Sequence, residues 1–320
     1  MAKYVIKKLI FSIFTVFLVL TLNFTLIHLA PGDPTSIIMG RDEADPAVQQ
    51  ALREMYGLDQ PLPVQYLAYI KQLLSGNMGK SIVFGRPVWD MISERLAPTI
   101  LLIFTAAIIS LVVGSLLGII CARREGSLPD AVVSFISYVC NAMPSFWVGL
   151  MLIIIFSTRL GWLPASGMTD VRHTYTGIAY VLDVLKHMAL PVLALVIASI
   201  PTYFRIAKSS VLQVCNEDFI TTFRAIGMSE GHIFRRYVFK NAILPIVTIF
   251  GIRMAFMVSG VTLVETVFAW PGTGRVLMTA INQRDYPVLM GMYLIMCIMV
   301  ALMMILVDIV YALLDPRIRY

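Results

Sequence analysis

A six-span, all-α membrane bundle is the fold this sequence predicts, and three observations predict it. Hydrophobic residues make up 58% of the 320 and charged residues only 14%, whereas a soluble domain is about half apolar and a quarter charged. Mean hydropathy is +0.82. Six runs are each long and apolar enough to supply the roughly 20 residues that a spanning helix needs. Basic residues gather on alternate connections between those runs, as they do beside spans on a cytoplasmic face.

The first run covers about 9–29, after Lys3, Lys7 and Lys8. It is longer than a signal-peptide core and is followed by Pro31-Gly32-Asp33-Pro34 without a small-x-small cleavage site, so an uncleaved span is expected. A long connection, 31–98, follows. Its Gly, Pro and Asp punctuation predicts turns joining short helices, with an amphipathic stretch at Val64–Leu74. The remaining spans are expected near 99–122, 131–157, 188–208, 243–268 and 288–313. Ala106, Ser110, Gly114, Gly118 and Ala122 recur every four residues in the second span, and Gly251, Ala255 and Ser259 in the fifth. Small residues at that spacing let helix backbones approach closely.

An even number of spans puts both termini on one side. The clusters at Lys3/Lys7/Lys8, Arg123/Arg124, 205–240 and Arg317/Arg319 share that side, which the positive-inside rule makes cytoplasmic. The short loops opposite carry Arg159, Arg172, Lys186, Arg275 and Arg284. The expected organisation is therefore a first span in 1–30, an extracytoplasmic loop subdomain in 31–98, and a five-span core in 99–320 with a cytoplasmic loop at 209–242.

The net charge of +6 is read as this membrane-side bias, not as a nucleic-acid surface. Cys121, Cys140, Cys215 and Cys297 have no metal-ligand spacing and fall outside the predicted external loops, so they read as packed or free thiols. The 19 Met residues scatter along the spans as packing groups. No His, Cys and carboxylate cluster suggests a metal site. No GxxxxGK[ST] phosphate loop is present, so the chain is not expected to hydrolyse ATP by itself.

The most informative stretch is 216–245, polar and basic between two apolar runs. Phe219/Ile220, Phe223, Ile226/Gly227, Ile233/Phe234 and Tyr237/Val238 recur at steps of three to four, which predicts a pair of amphipathic helices broken near Gly231. Such a pair either lies on lipid headgroups or docks a soluble partner. Small residues at Ala225 and Gly227 favour docking, with Arg224, Glu230, Arg235 and Arg236 as a polar rim. Inside the spans, Arg253 lies ten residues into the fifth, about 15 Å deep at about 1.5 Å per residue. A charge there is expected to face the bundle interior, the subunit seam or water, either as a pathway residue that meets an acidic group of the cargo or as a structural partner of Asp308 or of a neighbouring subunit. Glu265 and the Pro271-Gly272-x-Gly274 turn are expected to shape an outer gate, unless that carboxylate merely caps or braces a loop. His28 and Asn23 sit where they either touch cargo or bond between helices.

The stretch 216–245, with Gly227 followed by Asn241-Ala242-Ile243-Leu244-Pro245, resembles the "EAA" loop of bacterial ABC importer permeases. Further segments narrow the resemblance to the dipeptide/oligopeptide/nickel permease family. They are His28–Pro34, Tyr56–Pro61, Gly76–Ser81, Pro144–Trp147 with Leu160–Gly167, Glu265–Gly274, Arg284–Pro287 and Leu314–Arg317. They cover nearly the whole chain in order. The chain departs from the family where Phe223-Arg224-Ala225-Ile226-Gly227 stands for Ala-Arg-Ala-Lys-Gly and Asn77-Met78 for Asp-Leu.

The resemblance implies a multi-pass subunit of the bacterial inner membrane. Its partners would be a homologous second permease, two ATPase subunits that hold ATP and Mg, and an extracytoplasmic substrate-binding protein. It places ATPase coupling on Phe223, Arg224, Ala225, Gly227, Glu230, Arg235, Asn241 and Pro245. The cargo it implies is short peptides or peptide-like solutes, with nickel or a metal chelate as the alternative. A non-transporting scaffold or sensor and an ion-coupled transporter remain as readings from other classes, although the latter calls for mid-membrane acids.

Overall fold

The computed structural model describes residues 2–29, 50, 54 and 57–314, apart from the side chains of 2–9, 255–260 and 308–314. The Pro31–Pro34 motif, Tyr56, the side chains of Lys3, Lys7 and Lys8, those of Ala255, Ser259 and Asp308, and Arg317 and Arg319 therefore lie outside the described residues. Among the described residues every named element is a helix, with one isolated antiparallel bridge between Lys80 and Pro87.

Helix α1 spans Ala2–Leu29. Its threonines return their hydroxyls to their own helix: Thr15, Thr21 and Thr25 each donate 2.8 Å to the carbonyl four residues back. That satisfies polar groups on an otherwise apolar rod. Helix α2, Leu62–Leu74, begins with a proline in its first turn, where a missing N–H costs nothing. Helix α3 runs Val88–Ala122, through Pro98, so it starts eleven residues before the span expected at 99. Hydropathy alone missed those turns because Asp90, Glu94 and Arg95 interrupt the apolar run.

The third expected span is broken. Helix α4, Leu128–Ala142, and α5, Ser145–Leu152, which continues as a wide π-turn over Ile153–Arg159, meet at 101°. Met143 is extended at φ −88°, ψ 127°, because a residue before proline is driven out of the helical region. Helix α6, Gly177–Cys215, carries Pro191 and Pro201 in its interior. Helix α7 is Asp218–Ala225 and α8 is Glu230–Ile233. A π-turn at Phe234–Val238 joins α8 to α9, Phe239–Val267. Helix α10 is Thr273–Gln283 and α11 is Tyr286–Leu314. Five stretches are long and apolar enough to cross a membrane, and the bent α4–α5 pair makes a sixth if it is one span.

The chain groups into two units. In the first, Met1–Thr99 with Gly272–Ala301, the core is Val88, Ile92, Leu277, Ala280, Tyr286, Val288, Leu289 and Met292. Buried Asp285 accepts from the Ser81 hydroxyl and from the Ile82 N–H at 3.2 Å, so the turn before α3 is pinned to the start of α11. The second unit is Ile100–Pro271 with Leu302–Tyr320. Here the small-residue stripe of α3 meets α6. A Cβ placed on Gly118 falls 2.5 Å from the Phe204 carbonyl oxygen, and one on Gly114 falls 2.7 Å from the Tyr203 Cβ. On α9, a Cβ on Gly251 falls 1.9 Å from a Val307 methyl. The four-residue spacing in α3 thus marks close backbone approach, as the sequence predicts, whereas Gly251 of α9 seats against the Val307 side chain.

Candidate functional site: the helix at 218–225 and its anchorage

Helix α7 is two turns long and lies against the ends of three longer helices. Its inward residue, Ile220, is fully buried and packs with Ala122 of α3, Val211 of α6, Ile233, Val238 and Ala242. Phe223 packs tilted against Tyr237 at 4.3 Å between centroids, and Phe219 meets Phe223 edge-on at 5.9 Å. The Arg123 guanidinium sits 4.9 Å over the Phe234 ring. Burying Ile220 alone is worth about 1.5–3 kcal/mol, enough to fix a helix too short to stand by itself.

The break between the two amphipathic pieces falls at Gly227, not at Gly231, which lies within α8. Helix α7 ends in a Schellman motif: the Met228 N–H reaches the Phe223 carbonyl and the Gly227 N–H reaches the Arg224 carbonyl, each at 3.0 Å. Gly227 takes φ +82°, the left-handed conformation this cap requires and glycine supplies most cheaply. The expected apolar stripe also loses a member, since Ile226 is 68% exposed. It follows the last helical residue and no longer shares the buried face.

Arg224 and Glu230 face each other across the cap. Arg224 donates from Nε at 2.7 Å and from Nη2 at 3.3 Å to the two carboxylate oxygens. This fork holds the Glu230 carboxyl below the usual glutamate range and pushes the guanidinium up. Ala225, Arg235, Asn241 and Pro245 are all exposed. The Asn241 side-chain amide donates 2.8 Å to the Tyr237 carbonyl, and Pro245, lacking an N–H, gives none to the Asn241 carbonyl one turn back. The outer surface of α7 and its cap thus offers backbone close to the surface at Ala225 and Gly227, exposed apolar side chains at Phe219 and Ile226, and a fixed ion pair.

Residues 114–320 match the family described as the binding-protein-dependent transport system inner membrane component, and residues 1–103 match that family's N-terminal component. The chain belongs to this family. The permease is 36% identical to the oligopeptide transport system permease protein AppB of Bacillus subtilis, over the whole of both chains. It is 36% identical to the di/tripeptide transport system permease protein DppB of Pseudomonas aeruginosa, over 100% of this chain and 99% of that one. It is 37% identical to the glutathione transport system permease protein GsiC of Escherichia coli, over the whole of both. Its fold resembles a chain of the inward-facing MetNI methionine ABC transporter, at a TM-score of 0.55 and 16% identity over 70% of this chain and 96% of that one. The ABC permease resemblance read from the motifs is therefore confirmed, and the permease is a multi-pass membrane subunit.

The remaining candidates lie away from α7. Arg253, on α9, donates 2.9 Å to the Thr202 hydroxyl of α6. Glu265 is fully buried, and the Trp270 N–H caps its carbonyl at 2.9 Å. Gly149 packs against Phe268 closely enough that a Cβ would lie 2.9 Å from the ring. In the first unit Gly272 precedes α10, Gly274 is in its buried first turn, and the Thr273 N–H reaches the Thr99 hydroxyl at 2.8 Å. Pro271 is half-buried. His28 bonds the Phe24 carbonyl of its own helix at 2.8 Å and stacks on Phe24 at 4.0 Å. The sequence reading missed the ion pair between Lys208 of α6 and Asp130 of α4, although Ser127-x-x-Asp130 ahead of an apolar run is a helix-start signal.

Proposed function

We infer that this permease is the membrane-spanning half of an ATP-driven importer for short peptides or peptide-like solutes, glutathione among them. The observation that carries the reading is α7, a short helix clamped from below through Ile220 and presenting Ala225, Ile226, Gly227 and the Arg224–Glu230 pair outward. A soluble ATPase subunit docked on that surface pulls on Ala122, Val211 and Ala242 together, so three long helices feel its movement. Closure of the two ATPases then moves the spans between outward- and inward-facing states. The full assembly is this chain, a homologous second permease, two ATPases carrying ATP and Mg, and an extracytoplasmic binding protein. It sits in the bacterial inner membrane with α7 and both termini of this chain in the cytoplasm. The substrates in the relatives' names, oligopeptides, di/tripeptides and glutathione, support the cargo class.

The test is uptake of labelled trialanine and glutathione into vesicles holding the reconstituted complex. Accumulation that requires ATP and the binding protein is expected. Uptake driven by an ion gradient without ATP, or a chain that purifies without any ATPase subunit, contradicts the reading.

A further inference from the structure

The second unit holds a cavity of about 680 Å³ among α4, α6 and α9 that no motif signalled. Its polar lining is Ser134 and Tyr138 from α4, Thr202, Arg205, Lys208 and Ser209 from α6, and Arg253 from α9. Its three cations are not equivalent. Lys208 is taken: it pairs with Asp130 and also donates to Ser134 at 3.4 Å. Arg253 is tethered to a neutral partner, the Thr202 hydroxyl at 2.9 Å. Among the described residues neither Arg253 nor Arg205 forms an ion pair. Two guanidinium groups therefore face one cavity with hydroxyls around them and no carboxylate among its lining residues. Arg253 lies ten residues into the expected fifth span, where a charge is costly and marks a functional path; Arg205 is exposed at the cytoplasmic end of the expected fourth span; and the planar fork of arginine matches a carboxylate bidentately. The volume lies in the range of small-molecule pockets.

We propose that this cavity is a carboxylate-binding station for cargo, with Arg253 and Arg205 as the binding residues and Thr202 as the positioning residue for Arg253. The assignment rests on the import reading above and narrows it: the solutes passed carry a free carboxylate. Lys208, neutralised by Asp130, holds α4 to α6 and leaves the two arginines to the ligand.

The experiment uses the whole complex without nucleotide or binding protein, in phosphatidylcholine nanodiscs that contain no anionic lipid. Equilibrium binding of labelled trialanine is compared with that of trialanine amide. The acid is expected to bind about tenfold or more tightly, the worth of a charge-assisted pair. Arg253→Gln and Arg205→Gln each abolish the acid–amide difference, and Arg253→Lys restores part of it. Equal binding of acid and amide, binding of neither, or an unchanged preference in both glutamine variants overturns the station. Co-purification of the ATPase subunits is read in the same samples. Its loss in the wild type counts against the import reading, whereas an intact complex without acid preference counts against the station alone.

Discussion

Arg224 and Glu230 were legible in the sequence as a polar rim, but not as partners. They stand six positions apart in the chain, and only the tight cap at Gly227 brings their forks together at 2.7 Å. Arg224 lowers the carboxyl pKa of Glu230, so the pair's contribution is present above the unfolded glutamate value and is lost only as pH falls through the lower folded one. Carboxyl titration of Glu230 by NMR is expected to give a midpoint below 4.5, returning to the ordinary range in Arg224→Ala. Between pH 8 and pH 5 the pair stays charged, so ATPase retention is expected to be flat across that window on its account. Arg224→Glu places two acids across the cap and is expected to release the ATPase, and the exchanged Arg224→Glu/Glu230→Arg variant to recover it. A Glu230 midpoint unmoved by Arg224→Ala contradicts this geometry.

Among the elements, the long apolar helices were readable because twenty consecutive apolar residues have few other uses. The breaks were harder. Met143-Pro144 sits in a run apolar enough to pass as one straight span, yet the proline rule turns it through 101°. The first turns of α3 carry acids and an arginine and so read as loop, although Val88 and Ile92 are fully buried. Contact between spans was legible from spacing, and Gly251 gives its sharpest test. A methyl group there overlaps Val307 at 1.9 Å, so Gly251→Ala is expected to destabilise by about 1–3 kcal/mol, the usual range for overpacking. Val307→Ala in the same chain should recover much of that, because the atoms in conflict are the valine's methyls. Thermal unfolding of the four members of this cycle measures the coupling. Additive effects contradict the contact.

At the scale of the whole molecule, family and architecture were legible because motifs run along nearly all of the chain, from His28 to Arg317. Arg253 was legible by its depth in the fifth span, but the cavity it shares with Arg205 was not, since the lining comes from three helices and shares no local pattern: only the fold sets α4, α6 and α9 around one space. The position of the α7 cap was missed by four residues for a related reason. Periodicity sees which positions are apolar, whereas the Schellman turn depends on one backbone conformation at Gly227. The central claim is that α7 is the handle by which an ATPase subunit moves this permease. Gly227 tests it most directly, because within this chain nothing lies within 4 Å of a Cβ placed there. The measurement is retention of the ATPase subunits, with ATP-driven uptake, by the tagged complex carrying Gly227→Trp, with Gly227→Ala as the control that shares the left-handed strain without the bulk. The account predicts that the alanine variant keeps its ATPase and the tryptophan variant loses it or hydrolyses ATP without uptake. A tryptophan variant that retains the ATPase and transports normally contradicts it.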